Sequence, residues 1–143
     1  MGMDRTLEGS ACPPESEKAG LRILVVEDHA DTAESLALLL RGEGHEIQVA
    51  PDGLAAVGAV QFAPPDVLLL DIGLPGMSGW EVARWVTGQP AEKRPLLVAI
   101  TGYGREEDRR RSEEAGIDLH LVKPVDPEKL LGLLRRFRRV VGG

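Results

Sequence analysis

The sequence has little cysteine, no long apolar run and no excess of positive charge, and each shortage argues against a class of protein. Its one cysteine, Cys12, has no partner within the chain for a disulfide, which favours a reducing compartment. No apolar stretch approaches the roughly 20 residues that a membrane-spanning helix needs, and the amino terminus lacks the apolar segment of a secretory signal. The net charge of −6 argues against general nucleic-acid binding. We therefore expect a cytoplasmic protein with no membrane contact and no direct DNA binding.

The composition divides the chain into a polar beginning and a folded remainder. Residues 1–20 are rich in glycine, serine, proline and charged residues, with almost nothing apolar, which is typical of a disordered tail. Because the whole chain has 143 residues, the remainder is long enough for one domain with a core of its own. We expect that domain to span residues 21–141.

Strand-like and helix-like segments alternate five times along this domain. The most informative segment is the continuous apolar run at residues 67–70, which is followed by Asp71 and then by turn-forming glycines and a proline. Such a run is typical of a strand that is buried on both faces of a parallel sheet. The predicted strands are residues 21–26, 46–50, 67–71, 96–101 and 119–122, and the predicted helices are residues 30–44, 53–63, 78–87, 105–115 and 127–141. This alternation predicts a doubly wound α/β fold with a parallel sheet.

Local signals mark where some of these helices begin and end. Asp31 and Glu34 have the spacing of a capping box at the first helix. Asp126 followed by Pro127 predicts the start of the fifth helix. Gly42 and Gly44 predict where the first helix ends.

Four of the predicted strands end in side chains that can do chemistry. These are Glu27 and Asp28 after the first strand, Asp71 after the third, Thr101 at the end of the fourth and Lys123 after the fifth. Because the carboxyl ends of parallel strands lie at one edge of a sheet, we expect these side chains to converge. Each residue alone has a plain structural explanation, such as helix capping by Asp71, but the agreement of four strand ends favours a functional site.

The chemistry of this set favours a metal ion and a phosphoryl group. Crowded carboxylates repel one another, and a hard divalent cation with oxygen ligands, Mg²⁺ or Mn²⁺, relieves that repulsion. The hydroxyl of Thr101 and the positive charge of Lys123 suit a phosphoryl group better than a neutral substrate.

Four motifs in this order and spacing, VVEDH, LLLDIGLPGMSG, AITGYG and LVKP, resemble the receiver domain of two-component response regulators. The resemblance covers residues 21 to about 141. It implies a (βα)5 flavodoxin-like sandwich whose five-stranded parallel sheet has the order 2-1-3-4-5. It also implies that Asp71 is the phosphoacceptor, that Thr101 is the hydroxyl that closes on the phosphoryl group, and that Lys123 pairs with that group.

The resemblance further implies a metal site for Mg²⁺, or Mn²⁺, formed by Glu27, Asp28, Asp71 and the backbone carbonyl of Gly73. Asp28 would bind the ion directly and Glu27 through water. The acidic pair is Glu-Asp rather than Asp-Asp, a variant that is expected to keep the metal. The LVKP motif implies a cis peptide bond before its proline.

The implied function is phosphorelay signal transduction. The domain would accept a phosphoryl group on Asp71 from a sensor histidine kinase or a histidine phosphotransfer protein. It would catalyse its own phosphorylation and dephosphorylation, while acting mainly as a signalling domain. The phosphoryl group would pull Thr101 inward and switch a surface made by the fourth helix, the fifth strand and the fifth helix, which contacts a downstream protein. No output domain follows the fifth predicted helix, so we expect a stand-alone receiver or a piece of a larger regulator or hybrid kinase.

Two further positions bear on the switch. His120 stands three residues before Lys123, where the family often has Tyr or Phe, and it is equally well explained as a half-exposed histidine without a signalling role. Tyr103 follows Thr101 by two residues and could reach the mouth of the site.

Three other functions share part of this pattern. An interaction module that has lost phosphorylation is the strongest rival, although Asp28, Asp71, Thr101 and Lys123 are all present. An aspartate-nucleophile phosphohydrolase would need a second aspartate two residues after the nucleophile, and that position is Gly73. A dinucleotide-binding domain would need a glycine-rich loop after the first strand, and EDHADT contains no glycine.

Overall fold

The apolar run that ends at Asp71 forms the central strand of a parallel sheet. This computed structural model describes residues 20–74, 76–90, 94–102 and 106–142, so the predicted tail and Tyr103 lie outside the described residues, apart from Gly20. The strands are β1 (Arg22–Val26), β2 (Glu46–Ala50), β3 (Val67–Asp71), β4 (Leu96–Thr101) and β5 (Leu119–Val122). The helices are α1 (Ala30–Gly42), α2 (Gly53–Phe62), α3 (Gly79–Thr87), α4 (Glu106–Glu114) and α5 (Pro127–Gly142).

All neighbouring strands of the sheet run parallel, in the order β2-β1-β3-β4-β5. This confirms the predicted flavodoxin-like order 2-1-3-4-5. The register aligns the strand ends, since Val26 pairs with Leu70 and Asp71 pairs with Ile100. At the far side Thr101 pairs with Val122. The polar residues that end β1, β3, β4 and β5 are therefore level with one another at one edge.

The core has two layers, one on each face of the sheet, and β3 contributes to both. Leu68 and Leu70 pack in the layer that contains α2 and α3, whereas Val67 and Leu69 pack in the layer that contains α1 and α5. All four side chains are completely buried, as the continuous apolar run predicts. Each such side chain contributes about 1.5–3 kcal/mol by burial, so β3 anchors the position of Asp71.

The starts of α1 and α5 agree with the sequence, whereas the cap predicted for α1 does not form. The Asp126 carboxylate accepts a hydrogen bond from the Glu128 amide at 2.9 Å, which confirms the predicted start of α5. The predicted capping box of Asp31 and Glu34 is wrong, because α1 already begins at Ala30 and its N-cap is His29, whose side chain makes no capping bond within the described residues. A capping box does form at α3, between Ser78 and Glu81.

None of the helices in the described part of the chain has the length and apolar character needed to cross a membrane.

His45 ties the start of β1 to the end of α1 and does so as a neutral side chain. It is 6% exposed, and its Nδ1 accepts a hydrogen bond from the Leu21 amide at 3.0 Å. Burial lowers the pKa of His45, and the positive charge of Arg138 lowers that pKa further. Protonation therefore requires the imidazole to gain a charge in an apolar setting and to lose this bond.

We expect His45 to make the folded state less stable in acid. Because its pKa is lowered on folding, its contribution is present above the ordinary pKa of about 6.5 and is lost as the pH falls through the folded-state pKa. His45→Asn keeps an oxygen acceptor near the Nδ1 position but cannot titrate, so its free energy of unfolding should depend less on pH below about 6.5. Urea unfolding of parent and variant at several pH values measures this difference, and two parallel curves would contradict it.

Candidate functional site

The carboxyl ends of the strands surround a cavity of about 340 Å³. Five of the residues that line it were predicted from the sequence as catalytic residues or metal ligands: Asp28, Asp71, Gly73, Thr101 and Lys123. Glu27 is 3% exposed and contacts the same group of residues through Lys123. The structure thus brings together every residue that was predicted to form the site, whereas their chemical roles stay predictions.

Lys123 lies between two buried carboxylates. Its Nζ is 3.4 Å from Asp71 Oδ2 and 3.6 Å from Glu27 Oε1. The Lys123 amide donates to the Thr101 carbonyl at 2.7 Å, and the Lys123–Pro124 peptide bond is cis, as expected. Because a buried carboxylate is costly without a partner, the ammonium group stabilises both acids at this edge.

Asp71 is held in a fixed direction by its neighbours. It is 6% exposed, its Oδ1 accepts from the Gly73 amide at 3.0 Å, and its Oδ2 faces Lys123. Helix α3 starts directly against it, since a Cβ on Gly79 would lie 2.8 Å from the Asp71 carbonyl oxygen. A side chain at Gly79 would displace the strand end, so glycine is required there for this close approach.

Gly73 is different, because a Cβ there would meet only Asp71 Oδ1, at an ordinary 3.7 Å. A side chain at this position is therefore sterically allowed and would stand beside the carboxylate. Its absence leaves Asp71 open on that side.

Glu27 has two oxygens that face in different directions. Oε1 faces Lys123, while Oε2 accepts from the His29 amide at 3.1 Å. Burial raises the pKa of Glu27, the His29 amide lowers it, and the charge of Asp71 raises it again. The ionised form of Glu27 therefore depends on positive charge nearby, which Lys123 supplies in part.

Two residues of this site were missed by the sequence reasoning. His29 lines the cavity, with Nδ1 at 3.4 Å from Glu27 Oε2 and 3.7 Å from Asp28 Oδ1. Trp80 also lines it, and its indole N–H donates to Ser112 Oγ of α4 at 3.1 Å. The position of His29 directly after the acidic pair is a signal for the first residue, whereas nothing in the local sequence around Trp80 indicates a polar contact.

The sequence raises two residues, His120 and Tyr103, in connection with the switch, and the structure describes the first of them. His120 is half-buried on β5, level with Ala99, and neither ring nitrogen has a hydrogen-bond partner among the described residues. Burial lowers its pKa, as does the charge of Arg109. Tyr103 lies outside the described residues, so its expected reach to the site mouth stays a prediction.

The donor set fits a divalent cation. One ligand atom from each of Glu27, Asp28 and His29 lies within 4.8 Å of the others, and Asp71 lines the same cavity. Carboxylate oxygens at the end of rigid strands are suitable ligands for Mg²⁺ or Mn²⁺. The carboxylates also crowd one another, so a cation would relieve repulsion that Lys123 leaves partly uncompensated.

The geometry can be compared with known proteins. A family model described as the response regulator receiver domain matches residues 23–135. The chain belongs to this family. Receiver domains act in phosphorelay signalling and interact with histidine kinases, so the resemblance found in the sequence is confirmed at this level.

Relatives and solved structures agree with this assignment. The DNA-binding response regulator MtrA of Mycobacterium tuberculosis is 40% identical over 119 residues, and the chain spans about half of it, 51%. The chemotaxis protein CheY4 of Vibrio cholerae is 30% identical with a TM-score of 0.77, covering 83% of this chain and 99% of CheY4. The receiver domain of sensor histidine kinase PA1611 of Pseudomonas aeruginosa is 29% identical with a TM-score of 0.76, covering 84% and 98%. That structure has magnesium coordinated in its active-site cleft.

We expect Mg²⁺ to stabilise this receiver domain by binding beside Asp28. At ten times its dissociation constant, a ligand stabilises the folded state by about 1.4 kcal/mol, which should raise the melting temperature by a few degrees. Asp28→Ala should abolish this rise. Asp31→Ala is the matched control, because it removes an exposed carboxylate of α1 outside the cavity and should keep the rise. Melting curves with and without Mg²⁺ measure the effect, and an equal rise in both variants would place the ion elsewhere.

Proposed function

We propose that this receiver domain accepts a phosphoryl group on Asp71 from a histidine kinase or a histidine phosphotransfer protein. The observation that carries the proposal is the setting of the Asp71 carboxylate. It is buried at the end of the central strand, it has Lys123 at 3.4 Å, and it opens into a cavity that Thr101 also lines.

In phosphoryl transfer the only covalent bond that the protein forms is the one made by its nucleophile. An Asp71 oxygen attacks the phosphorus of phosphohistidine in line; the new O–P bond forms as the P–N bond breaks, and its electron pair leaves with the imidazole. The Gly73 amide and Lys123 orient the two carboxylate oxygens, so the nucleophile is positioned before the donor arrives. Lys123 then neutralises charge on the transferred group.

A divalent cation fits this scheme as a further source of positive charge. Glu27, Asp28, Asp71 and the Gly73 carbonyl would hold it, and when bound it would stabilise negative charge on the phosphoryl oxygens. The Mg²⁺ reported for the PA1611 receiver domain supports the same ion here.

The phosphoryl group would act on the rest of the domain by adding charge and hydrogen-bond acceptors. The Thr101 hydroxyl can donate to it, and Thr101 ends β4 next to β5. Trp80 offers a second connection, because it lines the cavity and contacts α4 through Ser112 and through the Arg111 guanidinium, which lies 4.0 Å from the ring centroid. These contacts support a switch at the surface of α4, β5 and α5 that faces a downstream protein.

Of the rival functions, the phosphohydrolase is disfavoured by Gly73, which supplies no second carboxylate. The interaction-only module keeps the fold without the transfer step, so a direct measurement of phosphorylation separates it from the proposal.

We expect incubation with acetyl phosphate and Mg²⁺ to add one phosphoryl group, measured by intact mass, because the small donor reaches the same carboxylate. Asp71→Asn should abolish this addition, since the amide is a poor nucleophile. Asp108→Asn is the matched control: Asp108 lines the same cavity but no role in transfer is assigned to it. If the parent folds and binds Mg²⁺ but gains no phosphoryl group, the interaction-only function is favoured. If Asp71→Asn still gains a phosphoryl group, a residue other than Asp71 is the acceptor.

We also expect Gly73→Met to lengthen the lifetime of the phosphoryl group. A side chain there would begin 3.7 Å from Asp71 Oδ1 and would cover one approach for the hydrolytic water. A tenfold longer lifetime corresponds to about 1.4 kcal/mol in the barrier, a reasonable effect for one blocked approach. Tyr103→Ala should shorten the lifetime only modestly. The rate of dephosphorylation is measured in both variants, after a check that their Mg²⁺ affinity is unchanged. If Gly73→Met loses its phosphoryl group as fast as the parent while Tyr103→Ala changes the rate strongly, Tyr103 and not position 73 controls the access of water.

A further inference from the structure

His29 is the N-cap residue of α1, but its side chain faces the acidic pair and does not cap the helix within the described residues. Its Nδ1 lies 3.4 Å from Glu27 Oε2 and 3.7 Å from Asp28 Oδ1, and it lines the cavity that contains Asp71. The ring is 75% exposed, and its side chain does not cap α1 within the described residues. The imidazole therefore makes its contacts with the two acids and not with the helix that it precedes.

The backbone fixes where this imidazole starts. The His29 amide donates to Glu27 Oε2 at 3.1 Å, and its carbonyl accepts from the Ala33 amide at 3.0 Å. The main chain of His29 is thus anchored on one side by Glu27 and on the other by the first turn of α1.

The separations suit neighbouring ligands of one ion. In an octahedral site with metal–ligand distances of about 2.1 Å, adjacent donor atoms lie about 3.0 Å apart. The spacings of 3.4 and 3.7 Å from Nδ1 to the two carboxylate oxygens are only slightly longer. All three donor atoms lie within 4.8 Å of one another, so one ion could contact them together.

We propose that His29 supplies a nitrogen ligand to the divalent cation of this site, beside the carboxylates of Glu27 and Asp28. The inference rests on the metal site of the proposed function and adds a donor to it. Because imidazole binds first-row transition ions well and Mg²⁺ prefers oxygen donors and water, His29 favours Mn²⁺ and Co²⁺ over Mg²⁺. The chain would then discriminate among cations by the residue that follows its acidic pair.

The direct test uses Mn²⁺ as a spectroscopic probe. Pulsed electron paramagnetic resonance of the full chain loaded with Mn²⁺ should detect hyperfine coupling to a directly bound nitrogen. His29→Ala should remove this coupling, and it should leave α1 intact because no capping bond is lost. His45→Asn is the control, since it removes another imidazole that lies outside the cavity, and the coupling should persist in it.

A second measurement follows the expected selectivity. In His29→Ala the affinity for Co²⁺ should fall by about tenfold or more, while the affinity for Mg²⁺ should change by less than about threefold. Equal losses for both ions would overturn the inference, because His29 would then act through general charge or folding.

The outcomes separate this inference from the proposed function. A parent that binds Mn²⁺ without nitrogen coupling overturns the His29 ligand and leaves phosphorylation of Asp71 standing. Coupling that is lost in His29→Ala supports the ligand even if Asp71 never gains a phosphoryl group. A parent that binds no Mn²⁺ overturns the inference outright.

Discussion

The Lys123 ammonium, placed between the buried carboxylates of Asp71 and Glu27, is the interaction on which the candidate site depends. Removing one partner of a buried ion pair leaves an uncompensated charge, which is strongly destabilising. Replacing such a group by well-packed apolar side chains is often neutral or even stabilising. Two acids at the end of an otherwise apolar sheet therefore make a poor contribution to stability, and their presence is better explained by chemistry than by folding.

The sheet makes this arrangement possible because it fixes the acids before any ligand arrives. The completely buried strand β3 holds Asp71 in register with β1 and β4, so the carboxylate cannot move away from its neighbours. Helix α3 closes the other side through the approach of Gly79 to the Asp71 carbonyl. Sites on strands are more rigid than sites on loops, and this rigidity keeps the Asp71 carboxylate oriented between Lys123 and the Gly73 amide.

The parts of the structure that the sequence predicts correctly follow from patterns that act over many residues. The apolar run at 67–70 predicts a strand buried on both faces, and the rule for parallel sheets then brings Asp71, Thr101 and Lys123 to one edge. The capping box at Asp31 failed because its spacing does not say where the chain leaves β1. Helix α1 starts at Ala30, as the sequence predicts, but its N-cap is His29, two residues before Asp31. Trp80 was missed because its contact with Ser112 depends on how α3 and α4 pack, which no local pattern contains.

The choice of glutamate at position 27 links the two halves of the site. Its longer side chain lets Oε1 face Lys123 while Oε2 faces His29, so one residue contacts both the lysine that would pair with the phosphoryl group and the histidine that we propose as a cation ligand. A positive charge on either side would therefore act on the same carboxylate. If the proposed roles hold, binding of the cation and phosphorylation of Asp71 are coupled, and by thermodynamic linkage the effect of each on the other is reciprocal. The metal affinity of this receiver domain would then report on its phosphorylation state through Glu27.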